Sequence, residues 1–154
     1  MKVSDLISPS AIRVVGHLTS KKRLLQDLAD SAAALHGIDA GEAFDSLQER
    51  ESLGPTGVGH GIALPHARVG GLERVEGLLL RLEKPIDFGA VDKQPVDLVF
   101  ALFAPRESGV EHLKALALVS RTMRDTTVCT KLRANSDPVT LHAILTEAEA
   151  SKAA

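Results

Sequence analysis

Val96-Asp97-Leu98-Val99-Phe100-Ala101-Leu102-Phe103-Ala104 is the stretch on which the fold turns. Its apolar residues continue without the alternation of a half-solvated strand, which is how a strand covered on both faces reads. Pro105 breaks the run. Ser108-x-x-Glu111 then has the form of a capping box, ahead of Leu113, Leu116, Ala117, Ser120 and Met123 at helical spacing. The unit is strand, loop, helix. Residues 75–82 form a second apolar run of the same kind, so both are expected at the centre of a sheet. Working outward, residues 12–18 suit an edge strand, and Ser20 can cap a helix carrying Leu25, Leu28, Ala32 and Leu35 that stops at Gly37. Asp39 and Glu42 open another helix in a capping-box-like pair, with Phe44 and Leu47 on its buried stripe and Gly54-Pro55 at its end. Two shorter helices close the chain, one with Val128, Cys129 and Leu132 inward, the other opened by Asp137-Pro138 with Leu141, Ile144 and Leu145 inward. Helices before, between and after the strands predict an α/β layer with cover on both faces. Strand order is not legible in this pattern.

The chain has 154 residues, 44% hydrophobic and 25% charged, enough for one ordinary domain spanning residues 1–154. Surface scaling predicts a folded area of about 7,500 Å² against about 23,600 Å² unfolded, so a core can form without staples. Eighteen basic and 20 acidic side chains leave a net charge of -2, too little positive field for generic nucleic-acid binding. Four Phe and no Trp or Tyr remove most stacking platforms. Cys129 is the only cysteine, which excludes an intramolecular disulfide and a multi-Cys zinc cage and agrees with a reducing compartment. The apolar runs are too short to span a bilayer, and the first ten residues lack a basic-then-apolar signal pattern. The expected location is cytoplasmic.

The chemistry is expected in Gly54-Pro55-Thr56-Gly57-Val58-Gly59-His60-Gly61-Ile62-Ala63-Leu64-Pro65-His66-Ala67-Arg68, which packs four glycines into eight residues. A phosphate-cradling loop needs Lys and Ser/Thr after its last Gly, where His60-Gly61 follows Gly59; a dinucleotide loop needs Gly or Ala where Ile62 stands. Both nucleotide readings fail. What remains is a backbone free to take positive φ, leading into a three-residue apolar strand that presents His66 beyond Pro65. Proline fixes its own φ and biases Leu64 toward extended geometry, so the approach to His66 is stiff. A neutral imidazole is a competent nucleophile toward phosphorus, since one ring nitrogen keeps its lone pair while the other holds the proton. The bland alternative, a loop histidine with a satisfied hydrogen bond, stays open on these residues alone.

Gly57-x-Gly59-x-Gly61-Ile62-Ala63-Leu64-Pro65-His66 resembles the phosphorylation-site signature of the fructose/mannitol-type enzyme IIA domains of the bacterial phosphoenolpyruvate-dependent phosphotransferase system. The likeness continues, in order, through Ser20-Lys21-Lys22, Arg50-Glu51, Pro85-Ile86-Asp87-Phe88, Gln94-Pro95-Val96-Asp97-Leu98-Val99-Phe100-Ala101-Leu102, His112-Leu113 and Leu132-Arg133-Ala134. With no transmembrane portion and no sugar-specific B domain attached, the nitrogen-regulatory branch of that family is the expected one. The resemblance implies a single-domain α/β fold, a mixed β-sheet of about five strands covered by helices on both faces. It also implies His66 as phosphoacceptor through Nε2, His112 as a hydrogen-bond donor to the phosphoryl group, and Arg50 as the cation that offsets its charge. An HPr- or NPr-like carrier is then the donor, regulated proteins lie downstream, and neither metal nor organic cofactor is needed. His60 stands where relatives often have Asn, and Ala67-Arg68 where Gly-Lys is common; both flank the surface a donor must approach.

Each supporting residue also has a structural explanation. His112 lies near the start of the helix after the central strand, where a helix N-terminus suits phosphate, but it also lies beside the seam of Leu116 and Val119. Arg50 near a helix end favours the dipole whether or not its planar fork meets phosphate. His60 and Arg68 read as rim residues, and His17, His36 and His142 as structural. Two rivals remain: a binding module that keeps the fold but takes no phosphate, and a metal hydrolase built from His60, His66 and His112 with Glu49, Glu51 or Glu111. The histidine spacing matches no compact zinc motif.

Overall fold

The computed structural model describes residues 1–153, and the side chains of residues 1–147. In chain order the strands are β1 (Ile12–Val15), β2 (Gly57–Gly59), β3 (Ile62–Ala63), β4 (His66–Val69), β5 (Glu76–Ile86) and β6 (Val96–Pro105). The helices are α1 (Val3–Leu6), α2 (Lys21–His36), α3 (Ala40–Leu53), α4 (Val110–Arg124), α5 (Thr126–Arg133) and α6 (Pro138–Ala153). All six strands join one mixed sheet in the order β1-β5-β6-β3-β2, with β4 also on β6. The α/β expectation holds, with β1 on the edge and β5 and β6 at the centre.

β6 organises everything else. Val99 and Phe100 are adjacent, point to opposite faces and are both fully buried, so the sheet is covered on both sides. Burying each such side chain contributes about 1.5–3 kcal/mol. β5 pairs antiparallel with β6, and Gly77 of β5 lies against the Phe100 ring, where an added Cβ would come within 2.8 Å of it. β3 and β4 run parallel to the same strand, Ile62 opposite Leu98 and His66 opposite Leu102. Between them the chain steps through Leu64-Pro65, and the Pro65 carbonyl accepts from Leu102 N–H at 3.0 Å. Pro65, which has no N–H to donate, thus costs β6 no hydrogen bond.

The caps on α2 and α3 form as expected at Ser20, whose Oγ accepts from Arg23 N–H, and at Asp39, whose carboxylate accepts from Glu42 N–H. The Glu42 side chain does not return to Asp39; it accepts instead from Gly70 N–H and from Arg106, which fastens α3 to the end of β4. α4 departs further from the expectation. Its N-cap is Gly109, no side chain caps it, and Ser108 Oγ is buried without a partner. Its buried stripe is His112, Ala115, Val119, Thr122 and Met123, while Leu113 is 65% exposed. The expected stripe of Leu113, Leu116, Ala117, Ser120 and Met123 competes with one of Ala115, Val119 and Met123, about one residue apart and sharing Met123, which is buried as expected. Docking against β6 selects the second, and so turns His112 inward. The short α1 and strands β2 and β4 carry too few residues to show a period of their own.

Candidate functional site

α3 lies against β4, which brings the last turn of one to the first residue of the other. His66 is half-buried there, with Nδ1 3.0 Å from the Leu64 carbonyl and Nε2 3.2 Å from Arg50 Nε. A carbonyl can only accept and a guanidinium can only donate, so the proton sits on Nδ1 and the lone pair on Nε2. Burial holds the His66 pKa below its ordinary value, against the pull of the Leu64 carbonyl, with Arg50 pushing the same way as burial and Glu51 against it. The ring is neutral at neutral pH, with its lone pair facing the Arg50 fork.

Arg50 also donates from Nη1 to the Gly54 carbonyl at 2.9 Å, so it closes the end of α3 and reaches the site at once. The helix-end explanation therefore holds, and the same side chain also reaches the His66 ring. His112 faces His66 from α4, ring centroids 5.5 Å apart and planes at 60°. Only 6% exposed, it keeps a buried Nδ1 without a partner. Burial, then the fields of His66 and Arg68, push its pKa down to about 4. A cleft of about 390 Å³ opens over these side chains, lined also by Glu49, Leu53 and Arg68.

A second set of contacts holds the segment that leads to His66. The Glu51 carboxylate, 6% exposed, accepts from Thr56 N–H at 3.2 Å and from Thr56 Oγ, and lies 2.7 Å from Lys21 Nζ. Lys21 in turn sits over the Phe88 ring, 4.4 Å from its centroid. In the sequence Glu51 stands out only within the Arg50-Glu51 pair of the family resemblance and as a possible metal ligand. Its signal was the Ser20-Lys21-Lys22 and Arg50-Glu51 pairs, 30 positions apart, which only the packed α2 and α3 bring together.

His60 stands apart from the cleft. It takes the left-handed conformation (φ 57°) between Gly59 (φ 103°) and Gly61 (φ 79°), its N–H bonds Asp92, and its carbonyl accepts from Arg133. Asn, Asp and His are the non-glycine residues that enter this region most readily, so a histidine fits between the two glycines. Arg68 is exposed and makes one long bond, 3.4 Å, to the Arg106 carbonyl. His36 lies 3.7 Å from Glu76, His142 Nε2 lies 3.1 Å from the Ile7 carbonyl and His17 is exposed. Among the described residues no three His, Cys, Asp or Glu side chains gather where they could hold a metal ion, so the hydrolase alternative lacks its donor set. No described helix is long and apolar enough to cross a membrane.

Residues 5–148 match the sequence model of the phosphoenolpyruvate-dependent sugar phosphotransferase system EIIA 2 family. The chain belongs to that family. It is 46% identical over 145 residues to a nitrogen regulatory protein of Bradyrhizobium diazoefficiens, covering 94% of this chain and 95% of the relative. Among solved structures, the nitrogen regulatory protein IIA-Ntr of Neisseria meningitidis superposes with a TM-score of 0.85 at 30% identity, over 93% of this chain and 98% of that one. The mannitol IIA of Escherichia coli shares the fold, with a TM-score of 0.76 at 16% identity over 90% and 97% of the two chains. The family's business is phosphoryl transfer. A histidine with a presented lone pair, flanked by a cation and a second neutral histidine, is chemically suited to that work.

Proposed function

We propose that Nε2 of His66 accepts a phosphoryl group from the phosphohistidine of an HPr- or NPr-like carrier, and that the phosphorylated and bare forms of this chain regulate different target proteins. The observation that carries this reading is the tautomer: Nδ1 spends its proton on the Leu64 carbonyl, leaving Nε2 as the only nucleophilic ring nitrogen. In the transfer the donor P–N bond breaks, its electron pair returns to the donor imidazole, and a new N–P bond forms at Nε2. The Nδ1 proton stays on the ring, where the Leu64 carbonyl faces the positive charge the ring acquires. Arg50 turns from the lost lone pair to the phosphoryl oxygens. His112, with an unpartnered nitrogen in the same pocket, supplies a further hydrogen bond. No cofactor enters the step.

Exchange between two similar P–N bonds is nearly reversible, so the site's task is positioning and charge cover. Leu53, 81% exposed, lines the cleft as an apolar contact for a docking carrier. Phosphorylation adds about -1.5 to -2 charge to this surface and thereby changes what can bind it. Residues 1–154 act in this reading as one cytoplasmic domain.

Incubation with the phosphorylated carrier, followed by intact mass measurement, is expected to show one added phosphoryl group, lost in His66→Ala. Label retained by that variant on another residue overturns the assignment, and an unlabelled wild type leaves a binding module. His112→Ala and Arg50→Ala are expected to slow labelling of folded protein; unchanged rates remove their roles.

A further inference from the structure

Both ring nitrogens of His66 trace back, through hydrogen bonds and the covalent Gly54-Pro55-Thr56 link, to one buried carboxylate. Nε2 is bonded by Arg50, whose Nη1 is held by the Gly54 carbonyl at 2.9 Å. Nδ1 is bonded to the Leu64 carbonyl, and Leu64 N–H donates to the Thr56 carbonyl at 2.9 Å. Gly54 and Thr56 flank Pro55, whose ring stiffens the three-residue link between these two paths. Thr56 is 3% exposed, and both its N–H and its Oγ donate to Glu51. Lys21, the first residue of α2, places its Nζ 2.7 Å from the same Glu51 carboxylate.

We infer that Glu51 is a positioning residue for phosphoryl acceptance: its carboxylate, shared between Lys21 and Thr56, pins residues 54–56 so that the Gly54 carbonyl aims Arg50 at Nε2 while the Thr56 carbonyl sets Leu64 beneath Nδ1. Glu51 touches neither the ring nor the space where phosphorus arrives. The inference rests on the phosphoacceptor reading of His66 and adds what holds that histidine in register. It also gives Ser20-Lys21-Lys22 a purpose that the cleft alone does not, since Ser20 caps α2 and so directs Lys21 at Glu51.

The test uses Glu51→Gln, Thr56→Val and Thr56→Ser in the full chain, with two measurements. The first is transfer from a phosphorylated HPr-like carrier, read at saturation and as KM. Misplacement of reacting groups by about 1 Å costs up to about a hundredfold, so Glu51→Gln is expected to slow the saturated rate about ten- to hundredfold. KM stays near wild type because Leu53, on the cleft, is untouched. Thr56→Val falls less, and Thr56→Ser, which keeps the hydroxyl, restores the rate.

The second measurement is the NMR titration of His66 in unphosphorylated protein. The charged and titratable groups around that ring are Arg50, Glu51 and Glu49 of α3, Arg68 of β4 and His112 of α4. Glu51 by its own field raises the His66 pKa and Arg50 lowers it. Loss of the Glu51 charge and loosening of the Leu64 bond at Nδ1 both move His66 down, whereas release of Arg50 moves it up, so the direction of the shift does not decide. The tautomer does: the inference requires that the ring-nitrogen NMR shifts of neutral His66, which mark protonated Nδ1 and bare Nε2 in wild type, move toward a tautomer mixture in Glu51→Gln. A wild-type transfer rate, or an unchanged His66 tautomer, overturns it. If Glu51→Gln fails to fold, the threonine pair decides, since both keep the ion pair: identical rates and tautomers for Val and Ser overturn the inference. A wild type that takes no label overturns the phosphoacceptor reading and the inference with it; a labelled wild type with Glu51→Gln equally fast overturns the inference alone.

Discussion

The glycine-rich segment is anchored at two ends, by two ion pairs built differently. At the near end, next to His66, one carboxylate 6% exposed gathers Lys21 and both donors of Thr56. At the far end, Arg133 grips Asp97 through Nε and Nη2 at 2.9–3.1 Å and also bonds the His60 carbonyl, with the two side chains 36% and 24% exposed. The near anchor leads by hydrogen bonds to the nucleophile. The far anchor fastens a turn to α5 and to β6 and has no such path. The same hairpin thus divides its two jobs: one end sets the chemistry, the other keeps the turn on the sheet.

Four experiments break or sharpen that division. Gly61→Ala is expected to have the largest effect, because its Cβ would lie 2.7 Å from Arg133 and 2.9 Å from Asp97 at a residue with φ 79°. A loss of about 2–4 kcal/mol in urea unfolding is expected, with labelling per folded molecule unchanged. Slowed chemistry in the folded fraction would merge the two ends into one.

Acid titration separates the site from both anchors. His66 and His112 are held below the ordinary 6.5, His112 at about 4. The unfolded chain binds more protons in that window, so their neutral burial favours folding above pH 6.5 and this advantage is lost as pH falls toward 4. His112→Gln is expected to flatten this dependence by on the order of 2 kcal/mol, measured by denaturant melts across that range. Phosphoryl acceptance, which needs neutral His66, should persist below pH 6.5 in the wild type. An acid limb at or above that value contradicts the buried, Arg50-faced ring.

Asp97→Asn comes next. It removes a bidentate but partly exposed pair and is expected to cost about 1 kcal/mol, with the labelling rate unaffected. His60→Asn is the smallest: a left-handed position that Asn enters readily should change stability by less than about 0.5 kcal/mol. A larger change in carrier KM than in stability for this variant would make His60 a docking residue.

The α/β class, β5, β6 and the inward faces of α5 and α6 were legible because long apolar runs and helical spacing need no partner to be recognised. Residues 64–66 were legible as a stiff presentation of His66 for the same local reason. The phase of α4 was not. Two apolar stripes overlap on that helix, and Ser108-x-x-Glu111 imitated a capping box where the N-cap residue is Gly109 and no side chain caps the helix. Strands β2, β3 and β4 have two to four residues each, too short for periodicity, and acquire their identity from pairing.

By itself the sequence determined which backbone is stiff, which runs are buried and where a histidine stands after a proline, all properties of neighbours along the chain. Tertiary structure alone decided that Arg50 meets Nε2 rather than solvent, that His112 turns inward, and that Lys21 and Glu51 share a buried charge. The reason is physical: a hydrogen bond or an ion pair across 16 to 30 positions exists only once the sheet has set the distances, and no local preference encodes them.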